Sequence, residues 1–192
     1  IWLDWSSNNS VSGNSITNNG HGLRLYESSN NSVSGNNITN NNYYGIWLKD
    51  SSNHNSVSGN SITNNNPGIR LDWSSNNSLS GNNLTANNYC NIWLEHSSNN
   101  TIYHNNFVDN TEQVYSYNST NVWDDGYPSG GNYWSDYEDR YPDAEEIDES
   151  GIWDTPYEID ENNQDNYPLM RPWGLVEEEE EEGVPFWMQW WL

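Results

Sequence analysis

Ile46-Trp47-Leu48-Lys49-Asp50-Ser51-Ser52-Asn53-His54-Asn55-Ser56-Val57-Ser58-Gly59-Asn60-Ser61-Ile62-Thr63-Asn64-Asn65-Asn66-Pro67-Gly68-Ile69-Arg70-Leu71 opens and closes on the same kind of triplet, two aliphatics around a large aromatic or cationic residue. Two isolated aliphatic side chains, Val57 and Ile62, stand between the triplets. Outward from this stretch the triplet recurs as Ile1-Trp2-Leu3, Leu23-Arg24-Leu25 and Ile92-Trp93-Leu94, and the steps along the series are 22, 23, 23 and 23 residues. A second column runs Val11, Val33, Val57, Leu79, Ile102, and a third runs Ile16, Ile38, Ile62, Leu84, Phe107. The Ser-Ser-Asn-Asn, Gly-Asn and Asn-Asn runs between them are turn formers.

The apolar spacing is 2 and then 5 to 9, never the sustained 3-4-3 of a helix. Each unit therefore reads as three short strands and three corners. A unit this poor in apolar residues cannot bury a face alone, but stacked units place each aliphatic on its own copy above and below. Parallel strands joined by crossovers wind right-handed. The expected fold is all-β: a right-handed single-stranded parallel β-helix over residues 1–122, with about five to six coils of roughly 22–24 residues. Val114 and Val122, offset by 8, mark a partial sixth coil. Asn14, Asn36, Asn60, Asn82 and Asn105 form a polar column whose amides can bond along the axis, as in cross-β ladders.

Composition narrows the function. The 192 residues carry 28 Asp and Glu against 5 Lys and Arg, a formal net charge of −23. Nucleic acid is excluded as a partner on that balance, because phosphate binding needs basic groups. The single cysteine, Cys90, cannot form an intrachain disulfide.

The unit resembles the NosD-like family of right-handed β-helix repeat proteins, which is common among archaeal surface proteins. The residues that carry the likeness are Asn31-Ser32-Val33-Ser34-Gly35-Asn36, Tyr44-Gly45-Ile46-Trp47-Leu48 and residues 97–107. Three further stretches carry it past the repeats: Gly130-Gly131-Asn132-Tyr133-Trp134-Ser135-Asp136-Tyr137, Asp154-Thr155-Pro156-Tyr157 and Asp165-Asn166-Tyr167-Pro168-Leu169-Met170. The likeness implies a β-helix related to those of carbohydrate-binding and sugar-hydrolysing proteins. The family's namesake is a periplasmic accessory protein for copper-enzyme maturation.

Open β-helix ends invite aggregation, so repeat arrays need caps. Residues 123–172 break the repeat and read as an irregular C-terminal cap, with Trp134, Tyr157 and Tyr167 over the last coil. Ile1 already sits on a strand, so further coils are expected upstream. Residues 173–192 read as a disordered acidic linker and tail: Glu177 to Glu182 are six like charges in a row. Val184 to Leu192 is aromatic but too short to span a bilayer. Membrane anchoring through a missing or truncated C-terminal segment is an expectation taken from the surface relatives.

In each triplet the aliphatics point inward, so the middle residue points out. That column is Trp2, Arg24, Trp47, Arg70, Trp93. Cation–π stacking along it could add ~0.5–1 kcal/mol per exposed contact. The same strip offers flat faces to sugar rings, over roughly 19 Å at four intervals of about 4.8 Å. Asp72 and Glu95 occupy adjacent coils of a neighbouring column, and carboxylates about 5 Å apart suit a retaining glycosidase. His21, His54, His96 and His104 fall on different columns, which does not support a copper site. Calcium is the possible cofactor, with Asp136, Asp148, Asp154 and Asp160 as candidate ligands, although no EF-hand spacing occurs. Seven Asn-Xaa-Ser/Thr sequons fit a glycosylated surface protein.

The expected function is a non-catalytic β-helix module, extracellular, at the cell surface or periplasmic, that binds a polysaccharide or surface glycan. The alternatives are a polysaccharide lyase or glycoside hydrolase fragment, or a copper-maturation accessory.

Overall fold

The computed structural model describes residues 1–110 and 112–174, so Glu177 to Glu182 and the aromatic tail lie outside the described residues. Three parallel sheets run along one axis, each taking one strand per coil. The first holds Trp2–Asp4, Leu23–Tyr26, Ile46–Lys49, Ile69–Asp72, Cys90–Glu95 and Glu112–Tyr117. The second holds Ser10–Ser12, Ser32–Ser34, Ser56–Ser58, Ser78–Ser80 and Thr101–Tyr103. The third holds Ser15–Thr17, Asn37–Thr39, Ser61–Thr63, Asn83–Thr85, Asn106–Val108 and Tyr133–Trp134. This is the parallel β-helix that the repeat period dictates, with about six turns.

The register keeps every aliphatic column in step. Val11, Val33, Val57, Leu79 and Ile102 pair in turn, as do Ile16, Ile38, Ile62, Leu84 and Phe107. All of them are buried. In the sixth coil Val114 follows Ile92 as expected. Val122 does not follow Ile102: it bridges Thr101 and is 51% exposed, and Trp123 fills the buried place beyond it. The corner is one residue shorter here, two steps from Ser119 to Asn121 against three from Ser97 to Asn100, so the buried place falls on Trp123, nine residues after Val114 where Ile102 is ten after Ile92.

Polar columns line the corners. The backbone N–H and Nδ2 of Asn14 both donate to Asn36 Oδ1 at 3.0 Å. The pattern repeats through Asn60, Asn82, Asn105 and Asn132. A second ladder runs Asn9, Asn31, Asn55, Asn77, Asn100, Asn121. A third runs Asn19, Asn41, Asn65, Asn87, and then through Asn91 to Gln113. Ser28, Ser52, Ser74, Ser97 and Ser119 form a hydroxyl ladder of the same kind. These bonds satisfy corner N–H groups that the short strands leave unpaired, and buried polar groups need that.

Each coil bends through left-handed residues. Trp5, Glu27, Asp50, Trp73 and His96 follow the first-sheet strands at φ between 45° and 50°. Gly45 has a different reason to be glycine: a Cβ there would lie 2.5 Å from the carbonyl oxygen of Gly68 on the next coil.

The segment after residue 122 covers the last coil by stacking. Trp134 lies parallel to Phe107 at 4.2 Å, and Tyr157 parallel to Trp134 at 4.0 Å. Tyr167 is peripheral, with its backbone C=O accepting the N–H of Gly131. Trp173 is still held: its ring stacks on His104 at 3.5 Å, and its backbone N–H and C=O bond the side chain of Asn106. Among the described residues no helix is long and apolar enough to cross a membrane.

Candidate functional site

The outward residues of the second and third sheets are Ser, Thr and Asn throughout the first four coils. Aromatic and charged side chains are concentrated on the first sheet and its bordering corners. Trp2, Arg24, Trp47, Arg70 and Trp93 form one register column, continued by Tyr115. Asp4, Tyr26, Lys49, Asp72, Glu95 and Tyr117 form the next.

The strip residues differ in how far they face solvent. Trp2 is 62% exposed, but Trp47 and Trp93 are only half exposed, contrary to the expectation of open faces. The corner entering the first sheet carries aromatic residues that lie over them. His21 and Tyr44 sit 5.4 Å and 4.9 Å from Trp47, and Tyr89 stacks on Trp93 at 5.1 Å. Apart from Trp2 on the first strand and Tyr117 on the last, the aromatic faces left open are at the two borders of the sheet. Tyr43 and Tyr89 stand on the entering side, 57% and 42% exposed, and Trp5 and Trp73 on the leaving side, 71% and 59% exposed. Trp73 is backed by His96 in a stack at 4.0 Å.

The cations between these borders are paired. Arg24 donates from Nε and NH2 to Asp4 at 3.2 and 2.7 Å, and its guanidinium lies 4.6 Å from the Trp2 ring. Arg70 reaches Asp72 at 3.2 Å, Glu95 at 2.9 Å and the Tyr44 hydroxyl at 3.1 Å, and stacks over Trp93 at 4.5 Å. Asp72 and Glu95 are thus brought together as expected of neighbouring coils, but around one guanidinium. Lys49 lies 3.7 Å from Asp50 and 5.0 Å from the Trp47 ring.

The four aspartates proposed for calcium are not brought together. Asp136 accepts from Tyr157 and Gln113, Asp160 from Asn162 and Asn163, and Asp154 from Glu145 and Thr155. Asp148 lies in a turn at φ 47°. A cavity of about 200 Å³ between the cap and the last first-sheet strand is lined by Glu112, Asp136, Arg140 and Tyr157, among others. It is smaller than the ~300–1,000 Å³ usual for small-molecule sites. Burial pushes the Tyr157 hydroxyl in this cavity well above its ordinary value, and the Asp136 charge beside it acts the same way.

The family model of NosD, described as a periplasmic copper-binding protein, matches residues 1–139. The chain belongs to the NosD family. The copper that this name carries was tested against the side chains present. Among the described residues no three His, Cys, Asp or Glu side chains lie together as a metal site. His96 and His104 are stacked on indoles, and burial raises the Cys90 thiol to about 12, which keeps it protonated. The described part of this NosD-family chain therefore does not fit copper.

No curated protein matches the chain. Among solved structures, two mutants of the periplasmic alginate epimerase AlgG are similar to it. One has 31% identity and a TM-score of 0.49, covering 58% of this chain and 26% of the enzyme. The other has 26% identity and a TM-score of 0.42, covering 61% and 32%. The chain thus spans between a quarter and a third of the epimerase's length.

Proposed function

We propose that this NosD-family chain is an extracytoplasmic β-helix module that holds a linear polysaccharide on its first sheet without transforming it. The carrying observation is that in the first four coils exposed aromatic surface is confined to one sheet and its bordering corners, while the outward residues of the other two sheets are Ser, Thr and Asn. A pyranose ring offers a face of weakly positive C–H groups to the negative face of an indole or phenol. Exposed apolar patches rimmed by polar groups mark interaction sites. Each border holds its two open aromatics on separate coils, Tyr43 and Tyr89 two coils apart and Trp5 and Trp73 three, which suits a chain rather than a single sugar. The periplasmic location of the family's namesake supports a place outside the cytoplasm. Asp72 and Glu95 both serve Arg70, so the reading is non-catalytic.

Affinity electrophoresis tests this. The Trp5→Ala/Trp73→Ala double variant should lose retardation in polysaccharide gels that slow the wild type, with little change in melting temperature. Replacing Trp47 and Trp93 should weaken binding and also lower the melting temperature, because their rings are packed. Equal retardation of Trp5→Ala/Trp73→Ala and wild type would contradict the reading.

A further inference from the structure

We propose that the polysaccharide held by the first sheet is uncharged; this rests on the binding reading above and names its substrate class. A polyuronate carries a carboxylate on each sugar and needs unpaired guanidinium or ammonium groups to meet it. On this face Arg24 is bound through two nitrogens to Asp4, and Arg70 is shared by Asp72 and Glu95. Lys49, the third cation of the face, turns toward Asp50. Glu27 and Glu112 flank the same columns, and the whole chain carries −23. That field repels a polyanion within about a Debye length, which grows as salt is lowered.

The pairing acts on cationic sugars too. Asp4, Asp72 and Glu95 already have guanidinium partners, so an ammonium would have to displace an internal cation. What the face offers freely is aromatic surface at Trp5, Tyr43, Trp73 and Tyr89, and the remaining lone pairs of neutralised carboxylates. Those accept hydroxyl protons at an ion pair that stays intact. The matching ligand presents C–H faces and hydroxyl groups and no net charge.

The test is native affinity electrophoresis of the full chain in gels containing hydroxyethyl cellulose, galactomannan or alginate. The expected result is retardation in at least one neutral gel and none in alginate. The Asp72→Asn/Glu95→Gln variant keeps side-chain volume and releases Arg70; it should gain alginate retardation that disappears as salt is raised. Wild type slowed by alginate as much as by a neutral gel would overturn the charge preference and leave the binding reading standing. A folded double variant still unretarded in alginate would overturn the ion-pair account. No retardation in any of the three gels would remove the binding reading and this inference together.

Discussion

Asp165 Oδ2 accepts the backbone N–H of Asn132 at 2.7 Å, and the Asn132 Nδ2 lies 3.3 Å from the same oxygen. In an amide ladder each Nδ2 donates to the next Oδ1, so one more amide at the end would leave a donor unspent. A carboxylate oxygen ends the series. The ladder through Gln113 also ends on a carboxylate, with Gln113 Nε2 reaching Asp136; in the remaining one the backbone N–H of Asn121 donates to Asn163 Oδ1 and the Asn163 Nδ2 reaches Asp160, while the Asn121 Nδ2 is left without a partner. Two of the aspartates read from sequence as calcium ligands are thus acceptors for ladder ends.

Asp165→Asn should destabilise the fold by about 1–3 kcal/mol, the cost of a buried unsatisfied polar group. Its new NH2 would face the backbone N–H of Tyr167, which Asp165 Oδ1 now accepts at 3.1 Å. Urea denaturation of the two proteins at pH 8, where the folded Asp165 is ionised, measures the loss. A variant as stable as wild type would show that the carboxylate is not needed there.

The same residue makes stability depend on pH. Burial raises Asp165 to about 7, against the pull of the N–H donors from Asn132, Trp134 and Tyr167. The unfolded chain titrates it near ~3.9, so between those values the folded state binds more protons and stability falls as pH rises. This contribution is complete below about pH 4 and gone above about pH 7. Urea midpoints from pH 4 to 8 should therefore drop more in wild type than in Asp165→Asn. Parallel curves would contradict the assignment.

Ile62→Asn should be worse than Trp47→Ala. Ile62 is fully buried in the third column, so the change costs about 2–5 kcal/mol in packing, and an unpaired amide adds to it. Trp47 is half exposed and loses contacts with Tyr44 and His21, about 0.5–1.5 kcal/mol for each aromatic pair. Thermal melts in which Trp47→Ala falls further would reverse the strand faces.

Gly45→Ala should cost about 1–3 kcal/mol by overpacking. The added methyl would meet the Gly68 carbonyl oxygen at 2.5 Å and Ile62 Cγ2 at 3.0 Å, so the coils must part. Gly59, at φ 61° with no heavy atom near its Cβ position, tests backbone strain alone. Calorimetry on Gly45→Ala and Gly59→Ala separates the two causes; an unchanged melting temperature for Gly45→Ala would mean the coils tolerate the spread.

The sheets were legible because the aliphatic columns recur at 22 to 24 residues, so that Ile62 falls on Ile38 and Leu84 on Ile62 while the corners absorb the difference. The ladder from Asn14 to Asn105 was legible for the same reason. Asp165 was not, since it reaches Asn132 across 33 residues of aperiodic chain. Trp123 was missed because the offset of 8 runs from the second aliphatic of a triplet, as from Leu94 to Ile102, whereas Val114 pairs with the first, Ile92. In the site, the column of Trp2, Arg24, Trp47, Arg70 and Trp93 followed from strand alternation. The cover over Trp47 and Trp93 did not, because His21, Tyr44 and Tyr89 sit in a corner whose sequence varies from coil to coil. A period assigns a face, but neighbouring side chains decide how much of that face is open.

Hydroxyl-radical footprinting with and without hydroxyethyl cellulose or galactomannan tests the binding face most directly. The account predicts that a retained polysaccharide protects Trp5, Tyr43, Trp73 and Tyr89 while Tyr127 and Trp173, exposed at the capped end, stay as reactive as before. Protection of Tyr127 and Trp173 with the first-sheet aromatics unchanged would contradict it.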